Sequence, residues 1–418
     1  MSKPRVLYIV YWGAAEPLGQ SLVLPSVKRL ADLGADLTLV TFEKLADLQH
    51  KDLIARIRVD LEKKSVRWIP LQYHKRPKAA ATGFDFLQGC VRSIVSQVGA
   101  KPDIVHSRTF VGGLMGLAIT SILRSKFIYH NEGFYPDEQV DAGVWKANST
   151  SHRVAKSLER RMYSKADAII AMSHRGTRVI EEIPAVRRKE TPVIVVPSCV
   201  DLTHFQPQQP KLRAGQDALR FVYSGSIGGR YNLDQAGRFV AAASSEIGNA
   251  RLRVLTRQDA TLVASMLRRS GLNGDSWSTE AVPYSAMPAM LADRDAGLLF
   301  LSQGLSEHGC SPTKIGEYWA MGLPVVTTPN VSDTDEIIRT ERVGVVVREN
   351  SDEAFRSAAR ELKSLLEDEE LPARCRRAAE RHYALAPACD RQFRLYGELS
   401  SKSAGSNVAV RASELGKS

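Results

Sequence analysis

Cysteine is scarce in this sequence, and long hydrophobic runs are absent. Among 418 residues the cysteines are Cys90, Cys199, Cys310, Cys375 and Cys389, with no Cys-x-x-Cys pair. An odd number of widely spaced cysteines argues against a disulfide scaffold and against a structural zinc site. No apolar run approaches the roughly 20 residues that span a bilayer. The first apolar run, residues 6–10, is too short for a secretory signal, so we expect a cytoplasmic protein.

Acidic residues are fewer than basic ones, with 46 Asp and Glu against 57 Lys and Arg and a formal net charge of +11. This surplus permits a phosphate-bearing ligand, a membrane surface or nucleic acid as partner, although solubility alone accounts for it. No zinc finger, aromatic RNA-binding signature or basic zipper helix is present, so we expect no nucleic-acid partner. The length predicts two or three domains, each able to bury its own core.

Short runs rich in valine and isoleucine alternate with longer stretches of helical periodicity. In the first half, strands are predicted at 6–10, 37–40, 66–71, 104–106, 127–130, 168–171 and 193–196. In the second half, they are predicted at 221–223, 252–255, 296–300, 324–327 and 344–347. Such alternation is typical of a parallel sheet with helices on both faces. We therefore predict an α/β protein with two Rossmann-like, doubly wound parallel-sheet domains that face each other across a cleft.

The domain boundaries follow from changes in composition. The first domain is predicted at 1–202, a polar and proline-containing linker at 203–219, and the second domain at 220–385. A C-terminal helix at 386–400 is expected to return to the first domain, and the small polar residues 401–418 are expected to form a disordered tail. Because ligands of such folds bind at the carboxyl ends of the strands, the cleft is the predicted site.

The most informative stretch is Ser311-Pro-Thr-Lys-Ile-Gly-Glu-Tyr-Trp-Ala-Met-Gly-Leu-Pro-Val-Val-Thr-Thr. Ser311 and Thr313 are favourable N-cap residues for a helix that ends at Gly322 and leads into a strand. The start of such a helix offers free N–H groups to an anion such as a diphosphate, and Lys314 adds positive charge there. One turn later, the Glu317 carboxylate is placed to accept two ribose hydroxyls. The alternative is an ordinary amphipathic helix with a surface glutamate.

This stretch resembles the nucleotide-sugar-binding signature of family 4 of the GT-B glycosyltransferases, in the form Pro-Thr-Lys-x-x-Glu-Tyr-x-Ala-x-Gly-x-Pro-Val-Val. Other segments resemble the family in the same order along the chain. They are Gly19-Gln-Ser, Pro102-Asp-Ile-Val-His-Ser-Arg, Ala166-Asp-Ala-Ile-Ile-Ala-Met-Ser, Val196-Pro-Ser-Cys-Val-Asp-Leu-Thr-His-Phe and Phe221-Val-Tyr-Ser-Gly-Ser-Ile-Gly. The resemblance covers nearly the whole chain, and six weak motifs in the right order are together fairly specific.

The resemblance implies a retaining glycosyltransferase that moves a sugar from a nucleotide-sugar to a hydroxyl acceptor. The expected setting is polysaccharide, lipopolysaccharide or glycoconjugate biosynthesis, with a saccharide or lipid-linked acceptor. The expected donor-binding residues are Gly19, Ser226, Arg230, Thr313, Lys314 and Glu317, and the expected catalytic residues are His106, Arg108 and Glu132. No metal and no cofactor is expected, because the nucleotide-sugar is itself the substrate and arginine, lysine and helix ends hold its diphosphate. For Arg230 a surface ion pair is the competing interpretation, and for His106 a buried structural role is equally compatible with the sequence.

The opposite wall of the cleft is expected to hold the acceptor. The segment 130–138 directly follows a predicted strand and combines carboxylates with aromatic rings, which sugar recognition uses for hydrogen bonding and stacking. We assign acceptor binding to Tyr135, Asp137 and Glu138, together with Gln20. The alternative is a solvated acidic loop.

One departure from the family pattern bears on activity. The family signature often reads Glu-x7-Glu, with the second Glu at Glu317, but the position of the first is occupied by Gly309. Glu307 is nearby but two residues out of register. Two other hypotheses therefore remain beside the transferase: a sugar-nucleotide epimerase of the same shape, which needs a proton-transfer pair, and a catalytically degenerate sugar-binding protein.

A basic segment in the first domain predicts peripheral contact with an anionic membrane, on the inner face of the cell membrane. The segment is His74-Lys-Arg-Pro-Lys78, and the expectation is that Leu71 and Tyr73 dip into the interface while its cations meet lipid phosphates. The alternative is a solvated loop after an edge strand.

Overall fold

The computed structural model describes residues 3–207 and 218–415, and these form two parallel β-sheets in succession. The first sheet consists of β1 (Arg5–Val10), β2 (Asp36–Glu43), β3 (Arg67–Gln72), β4 (Ile104–Arg108), β5 (Lys126–His130), β6 (Ala168–Ala171) and β7 (Val193–Val195). Its strand order is β3-β2-β1-β4-β5-β6-β7, and every pairing is parallel.

The second sheet has six strands. They are β8 (Leu219–Ser224), β9 (Ala250–Leu255), β10 (Trp277–Glu280), β11 (Ala296–Leu299), β12 (Val325–Thr327) and β13 (Gly344–Val346), in the order β10-β9-β8-β11-β12-β13. In both sheets the chain starts near the middle, moves to one edge and then returns to build the other side. The predicted α/β fold class with two doubly wound sheets is confirmed.

Helices connect the parallel strands and cover the sheets. In the first half they are α1 (Leu24–Asp32), α2 (Leu45–Leu48), α3 (Lys51–Glu62), α4 (Lys78–Ser96), α5 (Phe110–Leu123), α6 (Tyr135–Asp141), α7 (Thr150–Lys165), α8 (His174–Glu181) and α9 (Pro184–Lys189). In the second half they are α10 (Leu233–Ile247), α11 (Ala260–Arg269), α12 (Met287–Ala292), α13 (Ser306–Gly309), α14 (Thr313–Ala320), α15 (Thr334–Glu341), α16 (Asp352–Leu366) and α17 (Leu371–His382). A π-helical turn, Gly19–Val23, precedes α1.

The central strands are buried because helices lie on both faces of each sheet. In β1 the residues Leu7 to Val10 have no exposed surface, and β6 is buried along its whole length. This is the physical reason why these strands read as continuous apolar runs rather than as alternating patterns. The edge strand β10 lacks such a run, since its residues alternate between half-buried and exposed.

The last helix, α18 (Leu385–Leu415), leaves the second half and packs on the first. Ala388, Cys389, Leu395, Tyr396 and Leu399 are buried in the hydrophobic core beside β1 and α1. A disordered tail was predicted from Ser401, and in the structure α18 continues as far as Leu415. Of the predicted linker at 203–219, residues 208–217 lie outside the described residues.

Two residues assigned to membrane contact are turned inward. Leu71 is 6% exposed and belongs to the core cluster that also contains Phe42 and Met115. The Tyr73 ring packs edge-on against Tyr11, with 5.7 Å between the ring centroids. The expectation that Leu71 dips into a bilayer is therefore wrong, because its side chain is buried in the core, and Tyr73 is half-buried against the same cluster. No helix within 3–207 and 218–415 has both the length and the apolarity that crossing a membrane demands.

Candidate active site between the two halves

A cavity of about 330 Å³ lies between the two halves of the chain, at the carboxyl ends of the strands. From the first half it is lined by Trp12, Leu18, Leu22, Thr109, Phe110, Glu132, Gly133, Tyr135, Glu138, Met172 and Ser198. From the second half it is lined by Ser226, Arg230, Tyr231, Ser311, Pro312, Thr313 and Lys314. Each domain thus supplies one wall.

The start of α14 forms one end of the cavity. Pro312 occupies the N-cap position in an extended conformation and provides no side-chain hydrogen bond to the helix. The predicted capping by Ser311 or Thr313 is therefore wrong, since the Ser311 hydroxyl accepts the Ser198 N–H of the other domain at 3.0 Å instead. An uncapped helix start presents free N–H groups and the positive end of the helix dipole, which favours an anion.

Lys314 is a buried cation at this helix start. Its side chain is 6% exposed, and Nζ has no hydrogen-bond partner. The ammonium lies 4.5 Å from the ring centroid of Tyr223 and 4.7 Å from that of Tyr231, which is a cation–π arrangement. Burial lowers the pKa of Lys314 to about 7. An unpartnered, desolvated ammonium of this kind gains strongly from an incoming anion.

Glu317 lies one turn further along α14 and does not itself line the cavity. Its side chain is 8% exposed, and burial raises its pKa to about 7, against the effect of the Lys314 charge. The Glu317 charge raises the pKa of Tyr284, beside the larger effect of burial, and the Tyr284 hydroxyl is buried without a hydrogen-bond partner. Glu317 is therefore a buried carboxyl set back from the cavity, within electrostatic reach of Lys314 and Tyr284.

Arg230 stands between the two domains. It lies within the tight turn Gly228–Tyr231, and its Nε lies 3.7 Å from Glu138 Oε1 of the first domain. Its Nη1 lies 4.0 Å from Glu307 Oε1 of the second domain. Both nitrogens are buried, and neither forms a hydrogen bond. The nearby anionic groups outweigh desolvation and hold the pKa of Arg230 above its usual range, so this cation remains charged and has free donors.

The absence of a glutamate at Gly309 has a steric cause. A Cβ atom there would lie 2.8 Å from the Phe134 ring and 3.3 Å from Gly133 Cα, both in the first domain. The loop containing Gly309 is therefore pressed against the other half of the molecule. Glu307 provides the buried carboxyl instead, and burial raises its pKa to about 6 while Arg230 opposes the shift.

An ion pair forms the floor on the side of the first domain. Arg108 Nε donates to Glu132 Oε1 at 2.5 Å, and Arg108 Nη1 donates to the Tyr8 hydroxyl at 3.3 Å. Burial raises the pKa of Glu132, and the adjacent Arg108 charge opposes that shift. Glu132 lines the cavity, whereas Arg108 lies behind it, so Arg108 acts on a ligand only through the position it gives to Glu132.

Aromatic rings make the rest of this wall largely apolar. Tyr135 stacks on Phe110 with 4.9 Å between ring centroids and meets Trp145 edge-on at 5.9 Å. Trp12 and Leu22 complete the surface. Flat apolar rings beside the carboxylates of Glu132 and Glu138 suit a sugar ring, which has apolar faces and hydroxyl edges.

Besides Arg108 and Glu317, four of the predicted site residues do not line the cavity. His106 is fully buried, with Nδ1 2.6 Å from the Tyr396 hydroxyl and Nε2 3.1 Å from His130 Nδ1. This geometry argues against the catalytic role, because both nitrogens are engaged beneath the floor, and burial lowers the pKa of His106 well below its usual range.

The other three residues, Asp137, Gln20 and Gly19, make local contacts that hold the chain around them in position. Asp137 turns toward α7, where Lys156 Nζ donates to it at 2.8 Å. Gln20 donates to the Ala15 carbonyl at 2.8 Å. A Cβ atom at Gly19 would lie 2.1 Å from the Gly13 carbonyl oxygen, so this position must be glycine for the chain to turn. None of these three residues lines the cavity.

Sequence reasoning missed several residues at the site. Tyr223, Tyr231 and Tyr284 surround the Lys314 and Glu317 side chains, and Trp12, Thr109 and Phe110 line the acceptor wall. One signal was available for Tyr231, because it directly follows Arg230. For Trp12 and Thr109, the signal was their position just after β1 and β4, at the carboxyl edge of the sheet.

Charge is divided across the cavity. The second domain supplies Arg230, Lys314 and the start of α14, whereas the first supplies the carboxylates of Glu132 and Glu138. An anionic group is therefore favoured on one side and hydroxyl donors on the other. Among the residues that the structure describes, no group of three or more His, Cys, Asp or Glu side chains could hold a metal ion.

Two family models match the chain, one for each half. Residues 22–199 match "Glycosyl transferase 4-like domain", and residues 218–368 match "Glycosyl transferases group 1". Together they account for more than three quarters of the sequence. Comparison with curated protein sequences gave no match.

Solved structures share the fold over almost the whole chain. Sucrose-phosphate synthase from Thermosynechococcus elongatus is similar with a TM-score of 0.68 and 15% identity, over 96% of this chain and 100% of that one. Anabaena HepE in complex with UDP and glucose has a TM-score of 0.65 and 15% identity, over 94% and 100% of the two chains. A putative UDP-N-acetylglucosamine 2-epimerase from Listeria monocytogenes has a TM-score of 0.58 and 17% identity, over 94% and 95%. At such identities the likeness establishes the GT-B fold alone.

Proposed function

The chain belongs to the glycosyltransferases, and we propose that it transfers a sugar from a nucleotide-sugar donor to a hydroxyl acceptor with retention at the anomeric carbon. One observation carries the proposal. Arg230 and Lys314 are two buried cations with N–H groups that lack hydrogen-bond acceptors, and both line the same cavity at the uncapped start of α14. A diphosphate supplies the missing acceptors for both side chains.

The donor binds along the wall of the cavity that the second domain forms. Its diphosphate binds between Arg230, Lys314 and the N–H groups of the α14 start, with Ser226 and Thr313 beside it. Its ribose reaches past Lys314 to the Glu317 carboxylate, and Tyr284 lies next to that carboxylate. Structures of Anabaena HepE with UDP and with UDP-glucose, on the same fold, support a nucleotide-sugar as donor.

The acceptor binds along the wall of the cavity that the first domain forms. Tyr135, with Phe110 and Trp12, offers apolar ring faces, and Glu132 and Glu138 accept hydroxyl groups. In the transfer step the acceptor oxygen forms a bond to the anomeric carbon on the face from which the diphosphate departs. The bond from that carbon to the diphosphate oxygen breaks, and the acceptor proton passes to the departing phosphate. Arg230 and Lys314 stabilise the negative charge that develops on the leaving group.

The protein's place in the cell is part of the same proposal. We place it on the cytoplasmic side, in polysaccharide, lipopolysaccharide or glycoconjugate biosynthesis, with a saccharide or lipid-linked acceptor at the inner face of the cell membrane.

Incubation with a panel of nucleotide-sugars tests this function. Free nucleoside diphosphate is measured with and without saccharide acceptors, and the sugar of the remaining donor is analysed by chromatography. Release that increases with an acceptor supports transfer, conversion of the donor into its epimer would identify an epimerase, and binding without turnover would identify a sugar-binding protein. The donor is first found by thermal shift, since a ligand at about 100 times its Kd adds about 2.7 kcal/mol of stability.

Lys314→Gln is the matched variant for the panel, and Lys363→Gln is its control. Lys363 is an exposed lysine in the same domain, remote from the cavity lining. The thermal shift produced by the donor is expected to be clearly smaller in Lys314→Gln than in the wild type and to be unchanged in Lys363→Gln. Equal shifts in the two variants would contradict the proposed diphosphate site.

A further inference from the structure

A second cavity, of about 840 Å³, lies along the outer edge of the sheet in the second domain. It is a groove between α15 and α16 at the strand β13, and its apolar lining consists of Ile338, Gly344, Val346 and Leu365. β13 ends the strand order of its sheet, so among the described residues no strand covers its outer side. This edge groove shares no lining residue with the cavity between the two halves.

The main chain of β13 turns unpaired groups toward the edge groove. The Val343 carbonyl accepts an N–H of β12 at 3.2 Å, and the Val347 N–H donates to a carbonyl of β12 at 2.8 Å. Because alternate residues of a parallel strand bond to the same neighbour, Gly344 and Val346 direct their N–H and C=O groups away from β12. Both residues line the groove, and within 3–207 and 218–415 these groups have no hydrogen-bond partner.

Such an edge is complementary to one kind of ligand. N–H and C=O groups that alternate at strand spacing pair with the main chain of another extended segment, which then continues the sheet. Apolar side chains of α15 and α16 border the edge, so the side chains of an added segment gain apolar contact. The chemistry of the edge groove therefore fits an extended peptide better than a small ligand.

Arginines lie at both ends of this edge. Arg342 lies just before β13 and Arg348 just after it, and both side chains are exposed and line the groove. At about 3.3 Å per residue, a strand of about seven residues reaches from one arginine to the other. Neither arginine takes part in an ion pair with any residue that the structure describes. Carboxylates at the two ends of a bound segment would meet both guanidinium groups.

The other charges that line the edge groove do not reverse this preference. Arg175 of α8 donates to Asp335 at 2.9 Å, so these two charges compensate each other. Arg339 adds a further cation, and Glu336 and Glu361 add carboxylates from the two helices. The arginines of the groove still outnumber its carboxylates.

We propose that the edge groove binds an extended, acidic segment of a partner protein, which joins the second sheet beside β13 as an additional strand. Main-chain hydrogen bonds to Gly344 and Val346 hold the segment, and Arg342 and Arg348 select carboxylates at its ends. The inference does not depend on the proposed function, because the edge groove contributes no residue to the cavity lining.

A second copy of the chain is a poorer occupant. Two β13 strands related by a two-fold axis would run antiparallel, which places Arg342 of one copy opposite Arg348 of the other. Like charges that face each other across paired strands are destabilising. The chain's own residues 208–217, which lie outside the described residues, contain Lys211 and Arg213 beside a single carboxylate and so do not match the arginines.

Fluorescence polarisation with defined peptides tests the edge groove in the full chain. The probe is fluorescein-labelled Glu-Thr-Val-Thr-Val-Thr-Glu, which combines residues that favour strands with a carboxylate at each end. Saturable binding of this probe is expected. The peptide with lysine in place of both glutamates is expected to bind at least tenfold more weakly.

Probes with methylated main-chain nitrogens distinguish strand addition from charge attraction alone. Two probes are made, each methylated on one of the two alternating sets of main-chain nitrogens. An added strand pairs with β13 along one of its edges only. One methylated probe is therefore expected to lose binding while the other retains it, whereas a peptide held by its charges alone would bind equally in both forms.

Two variants of the protein test the two parts of the site. Val346→Pro removes an N–H that faces the groove and none that faces β12, and it is expected to weaken binding of the probe at least tenfold. Arg342→Gln, Arg348→Gln is expected to bind the glutamate and lysine peptides alike. The matched control is Arg251→Gln, Arg268→Gln, two exposed arginines of the same domain outside the groove lining, and it is expected to bind like the wild type.

The proposal is overturned by a wild type that does not bind the probe, by equal affinity for the glutamate and lysine peptides, or by equal binding of the two methylated probes. It is also overturned if the free chain forms a dimer that Val346→Pro dissociates, since the edge then belongs to a second copy. Failure here is separable from failure of the proposed function. Release of nucleoside diphosphate is expected to be the same in the wild type and in Arg342→Gln, Arg348→Gln, because neither arginine lines the cavity.

Discussion

Lys314 and Glu317 are three residues apart on α14, and burial moves their pKa values toward each other from opposite sides. Both reach about 7 without a donor. Diphosphate binding requires the charged ammonium, so donor affinity is expected to fall as the pH rises above about 7. Ribose binding requires the ionised carboxylate, so affinity is expected to fall as the pH drops below about 7. On either side of this pH, the Kd of the donor is expected to rise by close to about tenfold per pH unit.

Titration calorimetry with the donor at pH 5.5 to 8.5 measures this profile. In Lys314→Gln the loss of donor affinity above about pH 7 is expected to disappear, while the loss of affinity at lower pH remains. In Glu317→Gln the loss of donor affinity at lower pH is expected to disappear instead. An affinity that is flat over this range, in a folded wild type, would show that the two groups do not meet the donor.

The Glu317 carboxylate is expected to contribute directly to donor affinity. Glu317→Ala should weaken nucleotide binding by about 1.5–3 kcal/mol, the range for hydrogen bonds to a charged group. Glu349→Ala, an exposed glutamate of the same domain, is the control and should leave Kd unchanged. If the affinity of folded Glu317→Ala equals that of the wild type, the assignment of the ribose site fails.

Gly309 is expected to be sensitive to the smallest side chain. In Gly309→Ala the new methyl group would lie 2.8 Å from the Phe134 ring of the other domain. The clash lies against Phe134, a buried residue of the first domain's core, so the thermal midpoint should fall as well. Turnover should fall on the order of 10²-fold, since a displacement of about 1 Å between reacting groups has effects of that size.

The control for this variant is Gly274→Ala, where a Cβ atom meets no heavy atom within 4 Å. It should keep both stability and turnover. Equal turnover of Gly309→Ala and the wild type would mean that the contact between Gly309 and Phe134 is not needed in the active arrangement.

At the scale of single residues, the sequence predicted side-chain chemistry better than side-chain direction. Arg230, Lys314, Glu132 and Tyr135 were expected at the site and line the cavity. Asp137 was expected with its neighbours, but on a helix it points about 100° away from the adjacent residue and meets Lys156 instead. Such directions depend on the register of α6, which composition and spacing do not determine.

At the scale of elements, the strands that contain apolar runs were predicted from the sequence, whereas the polar edge strand was not. All seven strands of the first sheet and five of the six in the second were predicted near their observed bounds. β10 was missed because Trp277–Glu280 is a half-exposed edge strand with polar residues on its outer face. α18 extends beyond residue 400, where the predicted helix ends, because small polar residues do not by themselves stop a helix that has already formed.

Helix α8 takes part of its capping from the other domain. Asp333 of the second domain accepts the N–H of His174 at 2.7 Å and that of Arg175 at 3.0 Å. Asp333→Ala leaves the first turn of α8 without these acceptors, and the expected loss is about 1 kcal/mol, as for other helix caps. Because the bond joins the domains, the loss should weaken their contact more than the folding of either one.

Small-angle X-ray scattering measures the outcome as an increase in the radius of gyration of Asp333→Ala. Asp368→Ala is the control, since it removes an ion pair with Arg374 that lies within the second domain. It should not change the radius. An unchanged radius in both variants would show that the Asp333 contact does not hold the domains together.

At the scale of the whole molecule, the cleft combines the cations of the second domain with the carboxylates of the first, and neither half has both at the cavity. The repetition of strand and helix predicted two domains and a site between them, and that much needed no knowledge of side-chain packing. The contact of the segment 304–310 with the first domain was not predictable, because it depends on how closely the halves approach. Ser173 donates to the His308 carbonyl at 2.5 Å, and Asp141 accepts the Ser306 N–H at 3.2 Å.

The division of charge across the cleft leads to a prediction for turnover. A departing nucleoside diphosphate carries negative charge, and the second domain already directs Arg230, Lys314 and the start of α14 at the cavity. These groups are fixed before reaction and partly desolvated, so they stabilise the leaving group without a divalent ion. Turnover is therefore expected to be the same with excess EDTA and with Mg²⁺. Lys314→Gln should lower turnover about 10²–10³-fold, the effect of removing one such donor, and Mg²⁺ should not restore it. Activity that EDTA abolishes and a divalent ion restores would mean that the cations on this wall are not sufficient for the departing charge.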